Sequence, residues 1–176
     1  DCSRPDLRPL FQHPLVAIEL CSGNGDWIIN RARQCSSCFW MAVEKKYDRV
    51  KKIWSKKQNH DIRNLFIWRA DIFQLSNVPS RSVDTVFINF PDPWPKQKHS
   101  KHRIFNQLLL DWLDSVLKPG GRVVVATDSH LVVNDSRALL SSAPSFIESR
   151  VDFESYGSSY FKKMWEEQGL KTQFVV

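Results

Sequence analysis

The fold is indicated most clearly by residues 83–94, whose sequence is VDTVFINFPDPW. The first half is an apolar run of strand length and predicts a buried β-strand. The second half places one carboxylate, Asp92, between Pro91 and Pro93. Each proline fixes its own φ and restricts the residue before it, so we expect Asp92 in a stiff turn at the end of the strand. Such a turn suits a site that must place one carboxylate accurately.

Strand-like and helix-like segments alternate on both sides of this stretch. Apolar runs predict strands at Leu15–Cys21, Phe39–Val43, Leu65–Trp68, Val83–Phe90, Arg122–Thr127, Phe146–Val151 and Thr172–Val176. Helical spacing predicts helices after Gly25, from Tyr47 onward, and at Ile104–Leu117 and His130–Leu140. This alternation predicts a doubly wound α/β sheet, in which ligands bind beyond the carboxyl ends of the strands. We expect residues 1–14 to form a short leader and residues 15–176 a single domain.

Composition and charge narrow the class of protein. The chain has 176 residues, 42% of them hydrophobic and 25% charged, which is typical of a globular domain. A net charge of +6 favours an anionic partner. The sequence has neither an apolar stretch of membrane-spanning length nor a signal-peptide pattern. Cys35-x-x-Cys38 has no second cysteine pair and no well-spaced histidine, so we expect no metal site and reduced thiols in a cytoplasmic protein.

Acidic residues stand where five of the predicted strands end. They are Glu19, Glu44, Asp71, Asp92 and Asp128. Alone, each could be a helix cap or a surface acid; their joint placement indicates one ligand site. Gly23-Asn24-Gly25 follows the first strand and allows a ligand to approach the backbone closely, but it lacks the third glycine of the dinucleotide fingerprint. Glu44 follows at roughly 20 residues, the spacing of an acid that binds ribose hydroxyls.

The charge of this edge favours one cofactor class over another. Carboxylates repel the pyrophosphate of NAD and attract cations. S-adenosylmethionine carries an ammonium group, a sulfonium group and a ribose diol, and it has no phosphate. The acidic edge therefore favours S-adenosylmethionine over NAD.

The run from Phe90 to Arg103 resembles the signature of the tRNA (guanine-N7)-methyltransferases. The segments Glu19–Gly25, Ala70-Asp71 and Ala126–Asp128 occur in the order and at the spacing of that family. The resemblance extends from Val16 onward. It implies a Rossmann-like, S-adenosylmethionine-dependent fold with a mostly parallel seven-stranded sheet, an antiparallel last strand and helices on both faces. It also implies methylation of N7 of a guanosine in the variable loop of tRNA.

The resemblance implies a role for each matching residue. The cofactor contacts would be Glu19, Gly23, Gly25, Glu44, Asp71 and Asp92. Asp92 would also be the catalytic residue. The substrate contacts would be Lys96, Asp128, Ser158, Tyr160 and Phe161, and the RNA contacts Lys98, His99, Lys101, His102 and Arg103. A second group of cations, Lys45 to Lys57, reads either as a solvated helix face or as an auxiliary RNA contact.

Two positions depart from the family pattern. Phe161 stands where the family has a glutamate that could accept hydrogen bonds from guanine, which Phe cannot do. Either Glu166 or Glu167 replaces it, or the base is held by stacking and by Asp128. Cys21 stands where the family commonly has glycine, and a positive φ there would be strained.

The sequence leaves other functions and several assemblies open. A methyltransferase acting on another RNA, a small molecule or a protein is one alternative, although the cations after Trp94 argue against a small molecule. A non-catalytic RNA-binding subunit is another, although the complete set of acids argues against it. Bacterial members of the family work without a partner subunit and eukaryotic members use a repeat protein. We expect a monomer or a homodimer that binds tRNA.

Overall fold

The computed structural model describes residues 8–149 and 173–175. Its elements are β1 (Leu15–Leu20), α1 (Asp26–Gln34), β2 (Cys38–Glu44), α2 (Tyr47–Asn59), β3 (Leu65–Arg69), β4 (Val83–Asn89), α3 (Gln107–Val116), β5 (Leu117–Thr127), α4 (His130–Leu140) and β6 (Gln173–Val175). Three short 3₁₀ helices cover Arg8–Gln12, Ile72–Gln74 and Gln97–His102. Strands and helices alternate along most of the chain, as the sequence predicts.

The strands form one sheet in the order β3-β2-β1-β4-β5-β6. Neighbouring strands from β3 to β5 run parallel, and β6 runs antiparallel to β5. The order reverses direction between β1 and β4, which are adjacent in the sheet although two strands separate them in the chain. In open α/β sheets the crevice beyond such a switch point is where ligands bind. The topology therefore predicts a ligand site at the ends of β1 and β4.

Helices cover both faces of the sheet and bury its alternating side chains. On one face, Trp27 and Ile28 of α1 and Ile53 of α2 pack on the sheet. On the other face, Leu113 of α3 and Val133 of α4 do so. The prediction of a Rossmann-like fold with helices on both faces is confirmed. Within the described ranges, no helix is both long enough and apolar enough to span a bilayer.

The prediction of seven strands is not reproduced, since the described residues form six. The predicted strand Phe146–Val151 is wrong for residues 146–149, which pair with no strand, and its last two residues lie outside the described ranges. The Phe146 N–H donates to the carbonyl of Ala143 at 3.1 Å, which closes a turn after α4. Glu148 then pairs with Arg137 of α4 at 2.8 Å. These local contacts hold the segment against its own helix.

The third predicted helix was too long at its start. Asn106 caps α3, because its side-chain oxygen accepts from the Leu109 N–H at 3.2 Å. A capping asparagine has non-helical φ and ψ, so the helix begins one residue later, at Gln107. The residues directly before Asn106 therefore belong to the loop that follows β4.

Candidate active site

Glu19, near the end of β1, is the centre of the switch point. Its side chain is only 2% exposed, and Oε1 accepts a hydrogen bond of 2.7 Å from the amide of Asn89 at the end of β4. Oε2 is buried and has no hydrogen-bond partner among residues 8–149 and 173–175. Burial raises the pKa of Glu19 to about 8, with the Asn89 hydrogen bond acting in the opposite direction. A buried oxygen without a partner is a ready acceptor for a cationic ligand or an N–H donor.

The glycine turn after β1 is held tightly by the backbone. Gly23 and Gly25 have φ of 57° and 78°, the left-handed region that favours glycine. The Gly25 N–H donates to the carbonyl of Ser22 at 2.9 Å, and Gly25 is the N-cap of α1. A Cβ on Gly25 would lie 2.7 Å from Cγ1 of Ile53. Gly25 is therefore required for the packing of α1 against α2, whatever it contributes to ligand binding.

Glu44, at the end of β2, connects the second strand to this turn. Its side chain is buried, and Oε2 accepts from the Gly23 N–H at 2.9 Å. Oε1 accepts from the Lys46 N–H at 2.8 Å. Each carboxylate oxygen can accept a second hydrogen bond, so Glu44 can position the glycine turn and still receive ribose hydroxyls.

Asp71, after β3, already has protein partners. Oδ2 lies 2.8 Å from the ammonium of Lys45, and Oδ1 accepts from the Phe73 N–H at 3.1 Å. Burial opposes ionisation, but Lys45 and that N–H outweigh it and hold the pKa of Asp71 below its usual value. The sequence alternative of a capping acid is correct for Asp71, since it begins the 3₁₀ helix Ile72–Gln74. A cofactor contact from Asp71 stays a prediction.

The segment Phe90–Trp94, which we name the Asp92 elbow, follows β4 and has strained backbone at both ends. Phe90 and Trp94 flank the two prolines with φ of 47° and 43°. Side chains of this size rarely adopt a positive φ, and each such residue costs about 1–2 kcal/mol. The Phe90 N–H donates to the carbonyl of Ala126 on β5 at 2.8 Å, which fixes the start of the elbow to the sheet. Asp92 at its tip is exposed.

Arg103 fixes the other end of the elbow. Its Nε donates to the carbonyl of Trp94 at 3.3 Å, and its Nη1 lies 3.4 Å from Asp135 of α4. The Arg103 side chain is only 19% exposed. Arg103 therefore supports the elbow through these contacts, and its predicted RNA contact stays a prediction. The Trp94 ring also packs on His99 and His102, with centroid distances of 5.6 and 5.2 Å.

Cys21 shows that the predicted acids converge. Its backbone has φ of 59°, the strained conformation anticipated for a residue in place of glycine. Burial raises the pKa of its thiol to about 12, and the charges of Glu44, Asp92, Glu19 and Asp71 add to the effect in that order. All four carboxylates therefore act on one sulfur atom.

The predicted substrate and RNA contacts are placed at the same edge or lie outside the described residues. Asp128 follows β5 and is half-buried. Lys96 and the 3₁₀ helix Gln97–His102 follow the elbow, with Lys96, Lys98, Lys101 and His102 exposed. Ser158, Tyr160 and Phe161 fall outside the described ranges, as do Glu166 and Glu167.

Three residues of this site were not predicted from the sequence. Asn89 holds Glu19, Lys45 holds Asp71, and Asp135 holds Arg103. Only Asn89 gave a signal, as the one amide in the apolar run that enters the elbow. Lys45 and Asp135 could not be found because their partners come from other elements. In the described part of the chain, no group of three or more histidine, cysteine or acidic residues could hold a metal ion.

Comparison with known proteins identifies the family. A family model described as a putative methyltransferase matches residues 13–171. A tRNA (guanine-N(7)-)-methyltransferase of Chlamydia muridarum is 38% identical over 172 residues, which cover 91% of this chain and 75% of that protein. The chain belongs to the tRNA (guanine-N(7)-)-methyltransferase family. A member of the family from Rhizobium meliloti is 33% identical over 132 residues, covering 73% of this chain and 57% of that protein.

Solved structures show the same fold at low sequence identity. One described as an antibiotic-related methyltransferase is 18% identical with a TM-score of 0.66, covering 99% of this chain and 92% of its own. The aminoglycoside resistance methyltransferase NpmB1 is 16% identical with a TM-score of 0.61, covering 96% and 89%. The family and its fold are those of S-adenosylmethionine-dependent methyltransferases, so the predicted family, enzyme class and cofactor are confirmed.

The residues of the cleft fit this cofactor. The unpartnered Oε2 of Glu19 can accept from a cationic group, and Glu44 keeps acceptor capacity for a diol. The turn between them has glycine at positions 23 and 25, where no side chain covers the backbone. We expect Glu19, Glu44 and the turn to hold S-adenosylmethionine, which supplies a methyl group on a sulfonium.

Proposed function

We propose that this protein transfers a methyl group from S-adenosylmethionine to N7 of a guanosine in the variable loop of tRNA. The proposal is supported by one observation: an acidic cleft and a cationic surface lie side by side at the carboxyl ends of the strands. The acidic cleft at the end of β1 and the Asp92 elbow at the end of β4 are adjacent, and an exposed cationic segment follows the elbow directly. The acids suit a cationic methyl donor, and the cations suit a polyanionic acceptor.

The chemistry requires alignment more than proton transfer. Guanine N7 carries an in-plane lone pair and loses no proton when it is methylated. Bringing N7 to near-attack distance from the methyl carbon, about 3–3.5 Å, is therefore the main task of the protein. Positive charge develops on the purine as the bond forms. A fixed carboxylate at Asp92 stabilises that charge and orients the base without acting as a base itself.

Other parts of the assignment belong to the same proposal. Lys96 and Asp128 border the elbow and would contact the target nucleotide, together with Ser158, Tyr160 and Phe161. Residues 15–176 would act as one catalytic domain in the cytoplasm, where tRNA is available. We propose a monomer or homodimer that needs no partner subunit if the protein is bacterial.

Charge reversal in the cationic segment should weaken RNA binding selectively. The double variant Lys98→Glu and Lys101→Glu should raise the Kd for tRNA by about 100-fold at moderate salt, because each exposed lysine contributes phosphate neutralisation. Filter binding measures this, and calorimetry should find the affinity for S-adenosylmethionine unchanged. Arg33→Glu, at the exposed carboxyl end of α1, is the matched control. Equal loss of RNA and cofactor binding would indicate misfolding instead.

Removing the support of the elbow should impair turnover more than RNA binding. Arg103→Ala breaks the contacts with Trp94 and Asp135, so we expect kcat to fall about tenfold and stability to drop by about 1–2 kcal/mol. The salt dependence of tRNA binding should stay as in the wild type. A flatter dependence, with kcat preserved, would return Arg103 to the class of phosphate contacts.

The proposed function is tested by incubating the protein with tritiated S-adenosylmethionine and bulk tRNA. Nucleoside analysis of the tRNA should recover the label as 7-methylguanosine. Ribosomal RNA assayed in parallel tests the alternative of another RNA substrate. If calorimetry detects no binding of S-adenosylmethionine while tRNA still binds, the protein is the non-catalytic RNA-binding subunit.

A further inference from the structure

One face of α2 exposes large aromatic side chains beside cations. Tyr47 and Trp54 are 56% and 57% exposed. Lys51 lies between them in the chain, and residues four and seven positions apart share one side of a helix. We name Tyr47, Lys51 and Trp54 the α2 stripe. Ile53, on the opposite side of the helix, is buried against the sheet, so the stripe points away from the core.

The Tyr47 ring already binds cations. The Lys51 ammonium lies 5.2 Å from its centroid and the Arg69 guanidinium 5.3 Å. Contacts at this distance are attractive and leave the charges close to a ring that water reaches. Alternating rings and cations are the elements of a nucleic-acid platform, on which bases stack and phosphates are neutralised.

The charge around the stripe selects an anionic partner. Helix α2 carries five basic residues and a single acid, Asp48. Two of the basic residues form ion pairs within the protein: Arg49 pairs with Glu44, and Lys56 pairs with Asp26. Lys51 and Lys52 are exposed. This excess of positive charge favours RNA over a basic protein surface or a second copy of this net-positive chain.

The stripe begins at the rim of the cleft. Tyr47 is three residues beyond Glu44, and Lys45, Arg69 and Asp71 line an open cavity of about 400 Å³ beside it. The sheet order places β2 and β3 on one side of β1, whereas β4 and the segment Gln97–His102 lie on the other. Cations therefore flank the acidic cleft on both sides, so an RNA that presents a base to the cleft can reach both.

We propose that the α2 stripe is a second RNA-binding surface, on which unpaired nucleotides of the substrate stack against Tyr47 and Trp54 while Lys51 neutralises a phosphate. The inference rests on the proposed function, because it assigns a further contact to the same RNA. The stripe holds the RNA body on the β2–β3 side of the cleft, and the cationic segment after the elbow holds it on the other.

The experiment measures tRNA binding by the full chain at several salt concentrations. Trp54→Ala should raise the Kd for tRNA about tenfold without changing the salt dependence, because it removes stacking and no charge. Trp54→Phe should restore most of the affinity. Lys51→Ala should lower the salt slope by about one. Leu108→Ala, which removes a 64% exposed apolar side chain from α3 on the other face of the sheet, is the matched control.

Each outcome separates this inference from the proposed function. If Trp54→Ala binds tRNA like the wild type while the Lys98 and Lys101 reversals weaken binding, the stripe inference is overturned and the proposed function stands. If Trp54→Ala instead changes the sedimentation of the free protein and not its RNA affinity, the stripe contacts another protein copy. A wild-type protein that binds no tRNA would overturn the proposed function itself.

Discussion

Asp92→Asn is expected to lower kcat for tRNA methylation by about 100-fold or more, with S-adenosylmethionine affinity within about threefold of the wild type. Asparagine keeps the volume and one acceptor oxygen and removes the negative charge. The charge is held in place by the elbow, whose ends are fixed by Ala126 and Arg103. Because positive charge appears on the purine only as N7 is methylated, losing the carboxylate should affect the transition state more than binding.

Single-turnover kinetics with saturating cofactor separate these effects, since they isolate the methyl transfer from product release. Asp114→Asn, which neutralises an exposed acid on α3, is the matched control and should behave like the wild type. A variant Asp92→Asn that turns over at close to the wild-type rate would show that Asp92 neither positions the base nor stabilises its charge. A parallel loss of cofactor affinity would make it a cofactor ligand instead.

Glu19→Gln is expected to raise the Kd for S-adenosylmethionine by about 100-fold, the second large effect. The variant keeps an oxygen for Asn89 but loses the only carboxylate oxygen at the switch point that is buried and unpartnered among the described residues. A cationic ligand then enters a buried site without its counter-charge, which is costly in a low dielectric. Calorimetry measures the affinity directly.

The raised pKa of Glu19 predicts a proton linkage that identifies the residue. With a pKa of about 8, Glu19 holds its proton at pH 7 in the free protein. A bound cation favours the ionised form, so binding at pH 7 should release close to one proton into the buffer. Calorimetry in buffers of different ionisation enthalpy counts that proton. Glu19→Gln should release none, and a wild type that releases none would contradict the assignment.

The raised pKa of Glu19 also makes the stability of the cofactor-free protein depend on pH. Between pH 4.5 and pH 8 the folded protein keeps the Glu19 proton and the unfolded chain does not, so this group's contribution to stability falls as pH rises through that window and is constant above it. Without cofactor, Glu19→Gln should therefore be more stable than the wild type at pH 8, on the order of 4 kcal/mol, at about 1.4 kcal/mol for each pH unit of that window. Denaturant unfolding at pH 5, where the difference should nearly vanish, is the control.

Much of the site could be predicted from the sequence because it is built from strand ends. Glu19, Glu44 and Asp71 each follow an apolar run, and parallel strands bring such positions to one edge. The position of the elbow directly after β4 was also predicted. The last strand, Gln173–Val175, lies within the strand predicted at Thr172–Val176.

Other features of the site and the fold could not be predicted, because they depend on contacts between elements that are far apart in the sequence. The role of Arg103 depends on Asp135, 32 positions away in the chain, so its place in a cationic run indicated only RNA binding. Residues 146–149 are apolar enough for a strand, but the Arg137–Glu148 pair and the turn at Ala143 decide otherwise. The packing role of Gly25 against Ile53 could not be predicted from the sequence, because Ile53 comes from a later helix; its cofactor contact stays a prediction.

In the proposed mechanism, the Asp92 elbow presents N7 of one tRNA guanosine to the methyl donor. The most direct measurement is borohydride–aniline cleavage of tRNA after incubation with the protein and S-adenosylmethionine, because this chemistry breaks the chain where 7-methylguanosine stands. We expect a single new cleavage, within the variable loop, that Asp92→Asn largely abolishes. Cleavage at many guanosines, or methylated tRNA that resists cleavage, would contradict it.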